Sequence, residues 1–76
     1  MMSWRDIERL IHSRFEVAVA LDEHKNKYWL RIAGVHYPIS PIQFDRLLEE
    51  GYIDPEYRME HGTGQFGEDQ MIYRGR

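Results

Sequence analysis

Two neighbouring segments of the sequence alternate, residue by residue, between large apolar side chains and small or polar ones. In residues 15–22 and 27–33 the large apolar residues occupy every second position. A period of two is typical of strands that bury one face. Pairing Leu21 with Tyr28 puts both apolar sets on one face, whereas a shift of one residue would turn one set to the other side. The two segments therefore predict an antiparallel hairpin of defined register.

Helix signals lie on both sides of this hairpin. Ser3 is placed to cap an amphipathic helix over residues 4–14, whose apolar residues recur at helical spacing. Ser40 with Gln43 three residues later forms a capping box, and a proline occupies the first helical position between them. Gly51 is the expected C-terminal stop of this second helix.

The remaining segments complete a sheet. Residues 35–39 predict a third, short strand. Because proline cannot donate to a strand ladder, this strand is expected either to lie at an edge or to end at Pro38. Residues 56–75 predict a C-terminal hairpin with a glycine-rich tip. The order αβββαββ predicts one α+β domain over residues 1–76, a two-layer sandwich with two helices on one face of an antiparallel sheet.

Composition narrows the classes of function. The 76 residues include no cysteine, which excludes a disulfide framework, a thiolate zinc site and a cysteine nucleophile. The N-terminal segment lacks the apolar core of a signal peptide, and no run is long enough for a membrane helix, so we expect a cytoplasmic protein without membrane contact. The formal net charge of −3 makes direct binding to nucleic acid unfavourable.

The acidic residues are concentrated in one part of the chain. Between Asp45 and Glu60 there are six acids and two arginines. A solvated helix face with its following loop accounts for this run, and an acidic surface offered to a basic partner is the functional alternative. The candidate partner-binding acids are Asp45, Glu49, Glu50, Asp54 and Glu56.

Three glycines in residues 61–69 have the spacing G-x-G-x-x-G: Gly62, Gly64 and Gly67. This spacing indicates a dinucleotide site only where it follows a strand and opens a helix, and the nine residues after Gly67 look like a strand. The motif resembles the glycine-rich loop of protein kinases, which joins two antiparallel strands. The chain ends before the lysine and aspartates that a kinase requires, so we expect neither a kinase nor a bound cofactor.

The tip of this predicted hairpin is itself a candidate contact. Phe66 is flanked by Glu68 and Asp69 in a loop that glycines allow to turn. An exposed aromatic on such a loop is suited to enter a cleft on another macromolecule. All three residues are therefore candidate partner-binding residues.

Signals for catalysis are few. None of the four histidines forms an H-x-x-x-H or H-E-x-x-H pair, so we predict no metal site. His36 and Arg31 are expected to approach each other on the sheet, as in an RNA-cleaving toxin, but acid–base catalysis needs a second proton-transfer group that the sequence does not supply. We therefore predict a non-enzyme with no catalytic residue.

The sheet face away from the helices is a second candidate surface. The predicted register puts Trp29 opposite Ala20 and Arg31 opposite Ala18, with His36 on the next strand. Exposed Trp, Arg and His are typical of interface hot spots, and they would also stack on RNA bases. Alternatively, the C-terminal hairpin covers Trp29.

These observations predict a small, acidic, non-enzymatic module that binds a protein partner. We expect an inhibitor that blocks the basic nucleic-acid-binding surface of a larger complex. Inhibitors from mobile elements, such as anti-CRISPR proteins, are similar in size and charge. A second copy of the chain is an alternative partner. The alternative functions are a small ribonuclease-like toxin and a nucleic-acid-binding regulator that uses Lys25, Lys27, Trp29, Arg31 and His36.

Overall fold

The computed structural model describes residues 1–13, 16–22 and 26–76. The elements are α1 (Trp4–Ile11), β1 (Val17–Asp22), β2 (Lys27–Ile32), β3 (Val35–Ile39), α2 (Pro41–Glu49), β4 (Arg58–Glu60) and β5 (Gln70–Arg74). All strand pairs are antiparallel, in the order β3-β2-β1-β5-β4. The predicted α+β class and the order αβββαββ are confirmed. Residue 14 of the predicted first helix, residue 15 of the predicted first strand and Lys25, a candidate nucleic-acid contact, lie outside the described residues.

The first hairpin has the predicted register, with Leu21 opposite Tyr28. Its second strand, β2, ends at Ile32 and not at Ala33 as predicted, because Ala33 and Gly34 form the turn to β3 with φ values of 49° and 79°. Positive φ at both central residues matches a two-residue turn to the right-handed twist of its strands. Ala33 therefore belongs to a turn and not to the outer sheet face.

Helix α1 begins as predicted and ends early. The backbone N–H of Asp6 donates to the Ser3 hydroxyl at 3.2 Å, which confirms the N-cap. The helix stops at Ile11, so the prediction of helix at residues 12 and 13 was wrong. The hydroxyl and the backbone N–H of Ser13 both donate to the carbonyl of Leu10. This local bonding replaces the next helical bond, as serine often does near helix ends.

Helix α2 has both predicted ends. The N–H of Gln43 donates to the Ser40 hydroxyl at 3.1 Å, and the Ser40 N–H donates to the Gln43 side-chain oxygen at 2.9 Å. At the other end Gly51 has φ 73°, and the N–H groups of Gly51 and Tyr52 donate to the carbonyls of Leu48 and Leu47. These two bonds form a Schellman motif, which favours glycine at this position.

Both helices cover one face of the sheet. Ile7 of α1 and Leu47 of α2 belong to the same buried cluster as Val19 and Leu30 of the sheet. Within the described ranges, the buried members of this cluster are Ile7, Val17, Val19, Leu30, Ile32, Ile39, Phe44, Leu47 and Ile53. The predicted two-layer arrangement is therefore confirmed, and the opposite sheet face carries no helix from the described ranges.

Pro38 lies on an edge strand, which is the first of the two predicted arrangements, and β3 continues past it to Ile39. Across the two-residue turn Val35 pairs with Ile32, so the backbone groups of Val35, Tyr37 and Ile39 point towards β2. Pro38 is out of phase with them and points to the open edge. Its missing N–H therefore removes no hydrogen bond between β3 and β2. It also leaves one donor fewer for a strand of another chain that would pair with this open edge.

The C-terminal segment forms the predicted hairpin, with Met59 opposite Met71 and the glycine-rich residues between β4 and β5. Its strands are shorter than the six residues predicted for each, since β4 has three residues and β5 has five. Strand β5 also pairs with β1, so the hairpin extends the sheet sideways. The hairpin strands therefore do not form a separate layer over Trp29.

Candidate functional site

Three predicted site residues, Trp29, Arg31 and His36, share the sheet face without helices, because they alternate with core residues along their strands. Arg31 lies opposite His36 on one side and opposite Ala18 on the other, as predicted. Ala18 in turn lies opposite Arg74 of β5. Arg31 and Arg74 thus flank an alanine on three adjacent strands.

An ion pair crosses this face. Arg31 Nη1 lies 3.1 Å from Glu60 Oε1, although three strand spacings separate β2 from β4. In a flat sheet the Cα atoms of these two residues would be about 20 Å apart, which is more than their side chains can span. Strong twisting of the sheet must therefore bring Arg31 and Glu60 towards each other on this face. The face is a trough, which we call the outer trough.

The shape of the outer trough explains its burial pattern. Ala20 and Ile72 are buried on its floor, although the helices pack on the other side of the sheet. Trp29 is half-buried, and the His36 ring meets its indole edge-on with 6.0 Å between ring centroids. The sequence predicted a shallow face with a protruding tryptophan, but the indole instead forms part of the trough wall.

A buried polar cluster fixes this indole. Asp22 and Gln70 are almost completely buried beside each other on β1 and β5. The indole N–H of Trp29 donates to Asp22 Oδ2 at 2.9 Å, and the Gln70 side-chain amide donates to Asp22 Oδ1 at 2.7 Å. The sequence analysis did not identify this role for Asp22. The sequence feature that could have indicated this role is the position of an acidic residue on the same strand face as Ala18 and Ala20.

The environment of Glu60 shifts its ionisation. Partial burial disfavours the charged form, but the hydrogen bond and positive charge of Arg31 favour it. Smaller contributions from Thr63 and Arg74 act in the same direction, and the pKa of Glu60 lies below its ordinary value. The carboxylate therefore remains charged across the neutral range and holds the two sides of the trough together.

This shift predicts a pH-dependent stability. A carboxyl with a lowered pKa in the folded chain adds stability above the ordinary carboxyl pKa of about 4.3, and this stability is lost as the pH falls through the lower, folded value. Glu60→Gln should lower the free energy of unfolding at pH 7 by about 1 kcal/mol or less. The difference from the native chain should shrink below about pH 4 in thermal unfolding followed by circular dichroism.

The matched control is Glu56→Gln, because Glu56 is exposed and forms no ion pair among the described residues. Its difference from the native chain should be small at every pH. An equal Glu60→Gln difference at pH 7 and pH 3 would show that the Arg31–Glu60 pair does not contribute through charge.

One end of the outer trough is an open groove of about 470 Å³. The charged residues that line it, among those that the structure describes, are Glu16, Arg31, Glu60 and Arg74. Small residues, among them Ala18, Ala33, Gly34 and Gly75, leave the groove unfilled. The groove therefore combines a concave shape with converging charged groups, a combination typical of ligand sites.

The glycine-rich loop satisfies its own backbone donors. The N–H of Gly62 donates to Asp69 Oδ1 at 3.0 Å, and the N–H of Phe66 donates to Glu68 Oε2 at 2.9 Å. A phosphate would have to displace a carboxylate from each donor. The loop is therefore held by its own hydrogen bonds, while Phe66 at its tip is 72% exposed.

The predicted acids lie on α2 and in the segment after it, and none of the five lines the groove of the outer trough. The backbone N–H of Asp54 donates to the carbonyl of Arg74 at 2.8 Å, so this segment reaches the end of β5. Asp45 and Glu49 are exposed on α2. Glu50 pairs with Arg46 at 3.0 Å, and the Arg46 guanidinium also lies 4.2 Å from the centre of the Trp4 ring. We call the exposed side of α2 with its following loop the acidic surface; its acids are Asp45, Glu49, Glu50, Asp54 and Glu56.

Three predicted groups of site residues thus occupy three separate places. Trp29, Arg31 and His36 come together in the outer trough, the acids lie on α2 and in the segment after it, and Phe66 projects from the loop between β4 and β5. Across the described residues, no group of three or more His, Asp or Glu is arranged around a common metal position. No helix in the described ranges has the length and apolar character needed to cross a membrane.

No protein-family model matches the chain, and no curated protein or solved structure shows significant similarity to it.

Proposed function

We propose that this chain is a small, acidic, non-enzymatic protein-binding module that inhibits a larger complex by covering its basic, nucleic-acid-binding surface. The acidic surface carries the proposal. Of its five acids only Glu50 forms an ion pair among the described residues. The surface therefore presents uncompensated negative charge, which steers and orients a basic partner.

The two exposed acids within α2, Asp45 and Glu49, do not stabilise the helix in the free chain. Asp45 and Glu49 are four residues apart on α2, where two like charges destabilise a helix by a few tenths of a kcal/mol. A basic groove on a partner would attract both carboxylates and offset the repulsion between them. The charge pattern is therefore better suited to a complex than to the free chain.

The glycine-rich loop supplies an apolar contact for the same kind of partner. Phe66 is exposed on a backbone that Glu68 and Asp69 hold in place. A preorganised aromatic loses little entropy when it enters a pocket, so it can contribute strongly to binding. Inhibition like that of anti-CRISPR proteins is the finer form of this proposal, and it is supported by size, charge and this combination of surfaces.

The test compares two variants with the same change in charge. Glu49→Lys alters the acidic surface and creates a favourable pair with Asp45 on α2, so its folding should be unimpaired. Glu16→Lys makes the same change outside the acidic surface. An immobilised native chain and the Glu16→Lys chain should both retain one nucleic-acid-binding complex from host lysate, and the Glu49→Lys chain should lose it.

Added nucleic acid should compete with the immobilised chain for that complex. Equal retention by the native chain and Glu49→Lys would overturn the proposal. Tight, salt-sensitive binding of the purified chain to heparin without a protein partner would instead favour a nucleic-acid-binding regulator.

A further inference from the structure

We propose that the open groove of the outer trough binds a small oxyanion, a carboxylate or a phosphate, between the guanidinium groups of Arg31 and Arg74. The acids of the acidic surface do not line this groove, and the site does not depend on the function proposed for them. Its ligand is a small anion that carries at most a short carbon skeleton.

The register of three strands creates the site. Arg31 and Arg74 are both cross-strand partners of Ala18, so their Cα atoms lie about two strand spacings, or roughly 10 Å, apart. At that separation two arginine side chains can converge on one ligand. Ala18 between them has no side chain long enough to fill the gap, and the groove of about 470 Å³ lies over it.

Both guanidinium groups keep donors for a ligand. Arg31 uses Nη1 for its contact with Glu60, and Arg74 forms no ion pair among the described residues. A guanidinium has five N–H donors and matches the planar oxygens of a carboxylate or the oxygens of a phosphate in a bidentate manner. The groove therefore offers more donors than its own acceptors use.

The remaining lining defines the class of ligand. Glu16 and Glu60 also face the groove, so their carboxylates oppose a polyanion such as a nucleic-acid backbone. Because Arg31 is already paired with Glu60, Arg74 is the first contact for a single anionic group, and the remaining donors of Arg31 are the second. Ala18 and Ile72 provide an apolar wall for a few carbon atoms.

The experiment is a nuclear magnetic resonance titration of the ¹⁵N-labelled chain at constant ionic strength. One arm adds inorganic phosphate and the other adds succinate, with sodium chloride as the reference salt. We expect saturable shifts in the millimolar range at the amides of Ala18, Gly34 and Gly75 in at least one arm. The arm with the tighter saturation identifies the preferred oxyanion.

Variants separate a site from general charge effects. Arg74→Gln should weaken binding about tenfold or more, because a charge-assisted hydrogen bond is lost. Ala18→Val should also weaken binding, because it fills the groove with a residue that strands accept. Arg58→Gln is the matched control: it removes the same charge from an exposed arginine of β4 that does not line the groove.

Arg58→Gln and Glu49→Lys should leave the titration unchanged. Linear shifts without saturation in both arms would overturn the proposal. Equal binding by the native chain and Arg74→Gln would overturn it as well, and so would an equal loss in Arg74→Gln and Arg58→Gln. None of these results bears on retention of a protein complex by the acidic surface, so the two proposals fail independently.

Discussion

Replacement of Asp22 by alanine should lower the free energy of unfolding by about 3 kcal/mol. The substitution leaves the Trp29 indole N–H and the Gln70 amide without their acceptor, and a buried donor without a partner costs about 1–3 kcal/mol. A domain of 76 residues has a total stability of about 4–11 kcal/mol. The loss would therefore be a large part of the whole.

Urea unfolding followed by tryptophan fluorescence measures this loss. Asp22→Asn keeps a side-chain oxygen as acceptor for one donor, so we expect an intermediate loss. Asp45→Ala, at an exposed position of α2, should change the stability by about 0.5 kcal/mol or less. Equal stabilities of Asp22→Ala and Asp45→Ala would show that the cluster around Asp22 does not stabilise the fold.

Features that depend on neighbouring residues were predictable from the sequence. The capping box of Ser40 and Gln43 requires a contact only three residues apart, and Gly51 follows from the geometry of one helix end. The register of the first hairpin follows from the alternation within two adjacent segments. In each case the pattern determines the structure because few alternative pairings bury the same side chains.

Features that depend on distant pairing were not predictable. The Gln70–Asp22 hydrogen bond joins residues 48 apart, and the Arg31–Glu60 pair joins residues 29 apart. Both exist because β5 pairs with β1, and the sequence indicated a C-terminal hairpin without indicating its neighbour in the sheet. The outer trough therefore arises from sheet order and twist, which local alternation does not specify.

The candidate site residues show the same division. The sequence placed Trp29, Arg31 and His36 on one face correctly, since strand alternation alone decides that. It did not identify Arg74 as a partner of Arg31, because the two meet across Ala18 only through the pairing of β5 with β1. The groove could therefore not be predicted from the sequence, because its residues come together only through the order of the strands in the sheet.

Leu47→Ala should have the largest effect of a single truncation in α2. Leu47 is completely buried, and truncation of a buried leucine costs about 2–5 kcal/mol through lost apolar contact and the cavity left behind. Alanine is a better helix former than leucine, so helix propensity would slightly oppose the loss. In a chain of marginal stability the variant should be largely unfolded or should melt far below the native chain in circular dichroism.

Ile42→Ala provides the control on the same helix. Ile42 is 79% exposed, so its truncation removes little buried surface, and the higher helix propensity of alanine should keep the stability within about 0.5 kcal/mol of the native value. Similar effects at Leu47 and Ile42 would contradict the packing of α2 against the sheet. A large loss at Leu47 alone would establish that α2 is held by its inner face, so its acidic outer side contributes little to folding and remains accessible to a partner.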